Sequence, residues 1–345
     1  MPHATTPDGV KLYYEESGEG APILFVHEYS GDWRSWEPQM RFFSRRYRCI
    51  TYSFRGYPGS DVPPVESMYG QQHAVDDARH MLDHLKIDKA HIVGLSQGAF
   101  ATAHFGRQYA SRALTLTLAG VGSGAGREGH EQFKKDALAT AARIRKDGMA
   151  KYASALTHNP TRSRFKQKDP RGFTEFVKHL SEHPDVGSAN TMQEYQGKRP
   201  SLYDFEAEWR ALHLPVLIIC GDEDEPCLQP SLYLKRVLPN AGLAMFAKTG
   251  HTVNIEEPDA FNREVWNFIT LAEAGKWTPG LPRPPAPGCS NSFGPRTPGL
   301  SGAEGSRSAS WDRTTPGALG LMSATGVCPM IMSGPRDRWS GRQRL

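Results

Sequence analysis

The stretch Ala90-His91-Ile92-Val93-Gly94-Leu95-Ser96-Gln97-Gly98 decides how the rest of the chain is read. A β-rich apolar run enters a glycine-flanked serine, and an amphipathic helical pattern, Gln97–Tyr109, follows. A tight strand-to-helix turn holds its serine in strained backbone geometry with the hydroxyl projecting. Glycines two residues to either side let neighbouring backbone pass close by. The helix start then offers the Gln97 N–H and the positive end of a helix dipole to a developing negative charge. A bare G-x-S-x-G arises by chance in loops. Strand before and helix after make Ser96 a candidate nucleophile.

Working outward, similar apolar runs stand at Pro22–His27, Tyr47–Tyr52, Ala113–Ala119, Pro215–Cys220 and Ala241–Phe246, with a further strand pattern at Val10–Glu15. Helical patterns lie between them at Ser35–Phe43, Gln71–Leu85, Ser231–Val237 and Asp259–Ala272. Continuous apolar strands alternating with helices imply βαβ units. The expected fold class is therefore α/β, a mainly parallel central sheet with helices on both faces. From Gly122 to about Arg210 the strand rhythm stops and helical patterns take over: Glu131–Lys146, Met149–Leu156, Arg171–Glu182 and Ser188–Gln196. Such a block reads as an inserted helical cap over the strand ends. The division is 1–125 and 211–275 for the core and 126–210 for the cap.

After Gly275 the composition changes. The last 70 residues hold ten Pro and eleven Gly but only eight Leu, Ile, Val or Phe. This is too little apolar surface to order a backbone, so 276–345 is expected to be a disordered tail. The tail takes nine of the 41 basic residues and three of the 37 acids, leaving 32 against 34 in the rest. The folded part is thus near neutral, which gives no reason to expect a nucleic-acid partner. Five cysteines at wide spacing, without a CxxC pair, suggest neither a zinc knuckle nor a disulfide framework. No apolar leader pattern or membrane-length apolar run is read, and a cytoplasmic protein is expected. His80 and His84, four apart with Asp76, Asp77 and Asp83 nearby, read as a solvated helix face rather than a metal site.

A serine nucleophile needs a base and an acid to orient it. His251, in Lys248-Thr249-Gly250-His251, follows the last strand pattern. The run Pro215–Cys220 leads into Gly221-Asp222-Glu223-Asp224-Glu225. Asp224, three residues past the strand-ending glycine, is the preferred acid, and Asp222 is the alternative. The stretch Gly120–Gly126 carries no acid that could serve instead. The order Ser…Asp…His is the one used when the nucleophile sits on such an elbow. The loop after Pro22–Val26 reads His27-Glu28-Tyr29-Ser30-Gly31. Its Tyr29 N–H is the candidate partner of the Gln97 N–H in an oxyanion hole, and His27 is expected to organise the loop.

These motifs resemble the α/β-hydrolase superfamily, in the branch with a helical cap that includes epoxide hydrolases, dehalogenases, haloperoxidase-like esterases and C–C bond hydrolases. The resemblance covers about residues 8–272. It rests on His27, Arg55-Gly56 with Pro58-Gly59-Ser60, the Ser96 elbow, Gly221 with Asp224, and Gly250-His251 with Glu256-Glu257-Pro258. Three positions depart from the pattern. Epoxide hydrolases and haloalkane dehalogenases of this branch use a carboxylate nucleophile, where this chain has Ser96. The usual glycine after His27 is Glu28, and the usual aspartate before the Arg-Gly turn is Ser53. The expectation is a serine hydrolase that cleaves a carboxylic ester of a small apolar or aromatic substrate through an acyl-enzyme, with no cofactor or metal. A lactonase, C–C hydrolase or acyl transferase would use the same triad, and a ligand receptor could use the same fold. The oligomeric state is left open.

Overall fold

The computed structural model describes residues 2–280. One sheet organises them. Its strands are β1 (His3–Thr5), β2 (Lys11–Ser17), β3 (Pro22–Val26), β4 (Arg48–Tyr52), β5 (Ala90–Leu95), β6 (Ala113–Ala119), β7 (Val216–Gly221) and β8 (Ala241–Phe246). They lie in the order β1-β2-β4-β3-β5-β6-β7-β8. β2 pairs antiparallel with β1 and β4, and every other neighbouring pair is parallel.

Two cores explain why the central strands are mostly apolar, with polar members such as His91, Thr115 and Thr117 buried as well. On β3, Leu24 and Val26 enter a cluster with Ile92, Phe100 and Phe105, while Ile23 and Phe25 enter a second with Trp36, Phe43, Phe261 and Phe268. Residues alternate between the faces, and both faces are covered, so no position on these strands can be polar without burying that polarity. The order also creates a switch point. The chain leaves β3 for β4 on one side and returns to β5 on the other. In parallel sheets, ligands bind beyond the carboxyl ends of strands at such a crevice. The loop carrying Tyr29 and the turn carrying Ser96 leave β3 and β5 at that place.

Several short elements lack a sequence signal, among them β1, with three residues, and the helices Ser163–Lys168, Glu206–Ala211 and Val253–Glu256. The helix expected from Ser231 begins instead at Glu225 and runs to Val237. Pro226 sits in its first turn, where a missing N–H costs no hydrogen bond, and Pro230 is carried inside the helix.

Between β6 and β7 every regular element is helical. The longest are His130–Asp147 and Pro170–Ser181, and a π-helical turn occupies Thr191–Gln196. Phe165, Phe173 and Phe176 form a small core of their own within this segment. At the other end, ordered packing passes Gly275. Trp277 stacks edge-on to Phe268 at 4.6 Å, and its Nε1 donates to the Asn240 carbonyl at 3.1 Å. Of the tail expected at 276–345, residues 281–345 lie outside the described residues.

Candidate active site

Ser96 follows β5 directly, with φ 52° and ψ −114°. Only Lys86 and Lys248 share a positive φ among the described non-glycine residues. Such a backbone costs on the order of 1–3 kcal/mol and persists only where its surroundings impose it. Here they do. The Ser96 N–H donates to Ala119 O at 2.8 Å at the end of β6. A Cβ on Gly94 would overlap Gly98 and Thr102, and one on Gly98 would overlap the carbonyl oxygens of Val26 and His27. The second overlap shows how close the helix Gln97–Gln108 starts to the end of β3, beside the loop that holds Tyr29. The Gln97 amide, in the first turn, has no acceptor within the helix.

The acid cluster after β7 divides its work. Asp224 Oδ2 lies 2.6 Å from His251 Nδ1. Asp222 accepts the Thr249 N–H at 3.1 Å, and Glu223 takes both branches of Arg164. Glu225 opens the next helix. Asp224 is fully buried, which by itself raises a carboxyl pKa, but the charge of and hydrogen bond to His251 outweigh burial and hold it below its ordinary value. His251 is fixed from several sides. Its N–H donates to Thr161 O at 3.0 Å, and the preceding Gly250 N–H is held by the buried Glu256 carboxylate. A Cβ at Gly120 would stand 3.3 Å from His251 Cε1. Since Gly120 follows Ala119, which holds the Ser96 amide, the serine and the imidazole flank the same end of β6.

In the loop after β3, His27 spans the turn. Its Nδ1 meets Glu28 O at 2.6 Å, and its Nε2 accepts the Phe54 N–H at 3.0 Å. Complete burial lowers its pKa to about 4, which keeps the ring neutral and suits this pairing. It organises the loop, as expected. Glu28 is buried and forms a two-pronged pair with Arg162 at 2.9 and 2.5 Å. Burial pushes this carboxyl up, but Arg162 reverses the shift and holds it below the ordinary range.

Arg162 shows what sequence reasoning missed. The segment between β6 and β7 touches the strand-end loops at many places, of which three stand nearest Ser96 and His251 or bear a buried arginine. Thr161 and Arg162 meet the His251 and Glu28 loops. Tyr195 Oη donates to Gln97 O, and Gln196 Nε2 donates to Gln97 Oε1, both at 2.8 Å. Arg199 donates to Ser123 O and lies over the Phe100 ring at 3.7 Å, with Phe133 at 4.9 Å on another side. Among the described residues, three arginines are buried, at 3–5% exposure. Arg55 pairs with Asp8 and Asp77, and Arg162 with Glu28. Arg199 has no carboxylate partner among the described residues. Burial lowers its pKa to about 10, which leaves it charged at neutral pH. A cavity of about 530 Å³ opens among the helices, bordered by Phe133, Ile144, Tyr152 and Met192. Tyr152 in turn stands edge-on to Tyr29 at 6.0 Å. Tyr152 and Phe133 thus lie between the cavity and the strand-end residues.

Comparison with known proteins places this arrangement. Residues 23–264 match the alpha/beta hydrolase family. A putative 2-succinyl-6-hydroxy-2,4-cyclohexadiene-1-carboxylate synthase of Bacillus subtilis is 26% identical over 276 residues, covering 77% of this chain and 97% of that protein. The 3-oxoadipate enol-lactonase 1 of Acinetobacter baylyi is 24% identical over 267 residues, covering 77% and 95%. In fold, a thermophilic esterase from Thermogutta terrifontis superposes with a TM-score of 0.70 at 23% identity, over 78% of this chain and 97% of that one.

Proposed function

Because the chain belongs to the alpha/beta hydrolase family, we propose that it is a serine hydrolase acting on carboxylic esters, with Ser96 as nucleophile, His251 as base and Asp224 as orienting acid. The observation that carries this reading is the 2.6 Å contact between Asp224 and His251 Nδ1 at the strand end where Ser96 is held in its strained turn. With Nδ1–H donated to Asp224, Nε2 is the nitrogen free to take a proton. His251 removes the Ser96 proton as the hydroxyl oxygen attacks the ester carbonyl. The Gln97 and Tyr29 amides hold the oxyanion, each contributing roughly 10²–10³ in rate. The leaving alcohol departs with the proton from His251. Water then repeats the sequence on the acyl-enzyme and regenerates the serine. No step calls on a cofactor.

Residues 126–210 act as a cap in this reading; the cavity beside Phe133 and Tyr152 is lined by cap residues alone and is separated by these two rings from the proposed site. Of the cap aromatics, Phe165, Phe173 and Phe176 are engaged in the segment's own core. A second reading is favoured by Arg199. A buried cation without a counter-charge suits a substrate that brings one, such as a lactone or ester bearing a carboxylate. The names of the enol-lactonase and carboxylate synthase relatives agree with it. Cys49, Cys220 and Cys227 are free and buried, as in a reducing cytoplasm, and no described helix is long and apolar enough to cross a membrane. The test is fluorophosphonate labelling, followed by a panel of chromogenic esters and lactones. Labelling at Ser96 with turnover supports the proposal. An unlabelled, inactive but folded chain would favour a receptor.

A further inference from the structure

Cys227 is a group beside the proposed triad that the mechanism does not use. It lies in the first turn of the helix Glu225–Val237, and its N–H donates to Asp224 O at 2.8 Å. This folds its side chain back towards the acid. Its Sγ is 3.8 Å from His251 Nδ1 and 3.3 Å from Gly120 O. One donor atom from each of Asp224, Cys227 and His251 lies within 4.8 Å of the others, and all three residues are buried. The second carboxylate oxygen of Asp224, Oδ1, is buried without a hydrogen-bond partner among the described residues. A thiol, an imidazole nitrogen and a carboxylate are a donor set suited to zinc.

We propose that Asp224, Cys227 and His251 form an inhibitory site for a thiophilic divalent cation, Zn²⁺ or Cd²⁺. The consequence for turnover rests on the hydrolase reading above, but binding itself does not. Zinc bonds of about 2.3 Å to sulfur and about 2.0–2.2 Å to nitrogen and oxygen, at tetrahedral angles, imply edges of about 3.6 Å for S···N and about 3.3 Å for N···O. The structure has 3.8 and 2.6 Å. The first edge already fits. The second opens by a small turn of the imidazole, and the orphaned Oδ1 offers the metal a further oxygen.

Charge favours the same ions. A thiolate and a carboxylate together neutralise a 2+ ion, so the occupied site carries no net charge into a buried place. Mg²⁺, which demands oxygen ligands in octahedral geometry, is disfavoured by the sulfur. On binding, the Cys227 S–H proton leaves to solvent. The imidazole proton moves from Nδ1 to Nε2, and Sγ, Nδ1 and the carboxylate donate their electron pairs to the ion. One proton is released and nothing is oxidised. The enzyme is then inactive for a defined reason: with Nε2 protonated and Nδ1 bound, His251 cannot accept the proton of Ser96.

The experiment reads binding and activity separately on the full chain. Equilibrium dialysis with ZnCl₂ is expected to find an ion whose affinity drops at least about tenfold in Cys227→Ser and in Cys227→Ala. Titration with CdCl₂ is expected to give an ultraviolet cadmium–thiolate band of which both variants lose the part due to one thiolate. In the wild type, ester turnover and fluorophosphonate labelling of Ser96 should fall in step with occupancy, recover with EDTA, and ignore MgCl₂. Equal zinc affinity in wild type and both variants overturns the proposal, as does zinc occupancy that leaves turnover and labelling unchanged. If the chain turns over no ester at all, loss of that part of the cadmium band in the variants still supports the site, while the hydrolase reading alone fails.

Discussion

In the strand-end loops, the reactive side chains are fixed by contacts that begin within a few residues: Ser96 between Gly94 and Gly98, and His251 behind Gly250, whose N–H is held by Glu256. In the helical segment, the contacts that reach the site bridge long stretches of chain. Arg162 and Glu28 are 134 residues apart, and Tyr195 and Gln97 are 98 apart. The difference separates two tasks. Local backbone constraint begins the aim of the proposed reactive groups, and contacts such as Ala119 O to the Ser96 N–H and Thr161 O to the His251 N–H complete it. Long-range ion pairs and aromatic contacts shape what surrounds those groups, and each depends on a partner that must also be buried.

If this division is right, the largest effects on activity fall in the loops and leave folding intact. Ser96→Ala should lower ester turnover about 10⁴-fold or more at unchanged melting temperature. Asp224→Asn should cost about 10⁴ in kcat, because the amide favours the wrong imidazole tautomer. Asp222→Asn, which loses only a bond to the Thr249 amide, should stay within about tenfold. Steady-state kinetics of the three, with circular dichroism for folding, check this. A dead Asp222→Asn beside an active Asp224→Asn would reverse the assignment.

The helical segment should show the opposite signature. Arg162→Met strands the buried Glu28 carboxylate and should destabilise the protein by about 3–5 kcal/mol. The double change with Glu28→Gln should recover much of that, as urea unfolding would show. Glu28 titrates below its ordinary 4.5 in the folded state. The pair's stabilisation is therefore present above that value and is lost as pH falls through the lowered one. Arg199→Met has no such partner to strand. Losing its bond to Ser123 O and its place over Phe100, it should cost at most about 1–3 kcal/mol of stability, while lowering kcat/KM for a carboxylate-bearing ester about 10–100-fold relative to its neutral counterpart. A uniform loss on both esters would mean that Arg199 is structural only.

The smallest expected effect concerns the chain beyond Gly275. Truncation after Ala274 removes Trp277 from Phe268 and Asn240 and should cost about 1–2 kcal/mol, whereas truncation after Gly280 should cost nothing measurable by thermal unfolding. Equal melting temperatures for the two truncations would show that Trp277 contributes no net stability. Composition placed the boundary at Gly275 because Pro and Gly become dense there, yet one aromatic residue within that stretch has a place to dock.

The sequence alone determined seven of the strands and the order of the proposed catalytic residues along the chain. Hydrophobic periodicity and glycine spacing are local signals, and β5, β6 and β8 begin and end where their apolar runs do. It could narrow the acid only to a cluster, because neighbouring carboxylates differ in direction and not in chemistry. Tertiary structure shows which of them meets the imidazole: the turn after β7, held by Glu223 N–H to Thr249 O and Asp224 N–H to Gly221 O, aims Asp224 at His251. The surroundings of Arg162, Arg199 and Cys227 were decided there too. A buried charge or thiol acquires its meaning from the partner across the fold, and that partner's distance along the chain leaves no pattern in the sequence to read.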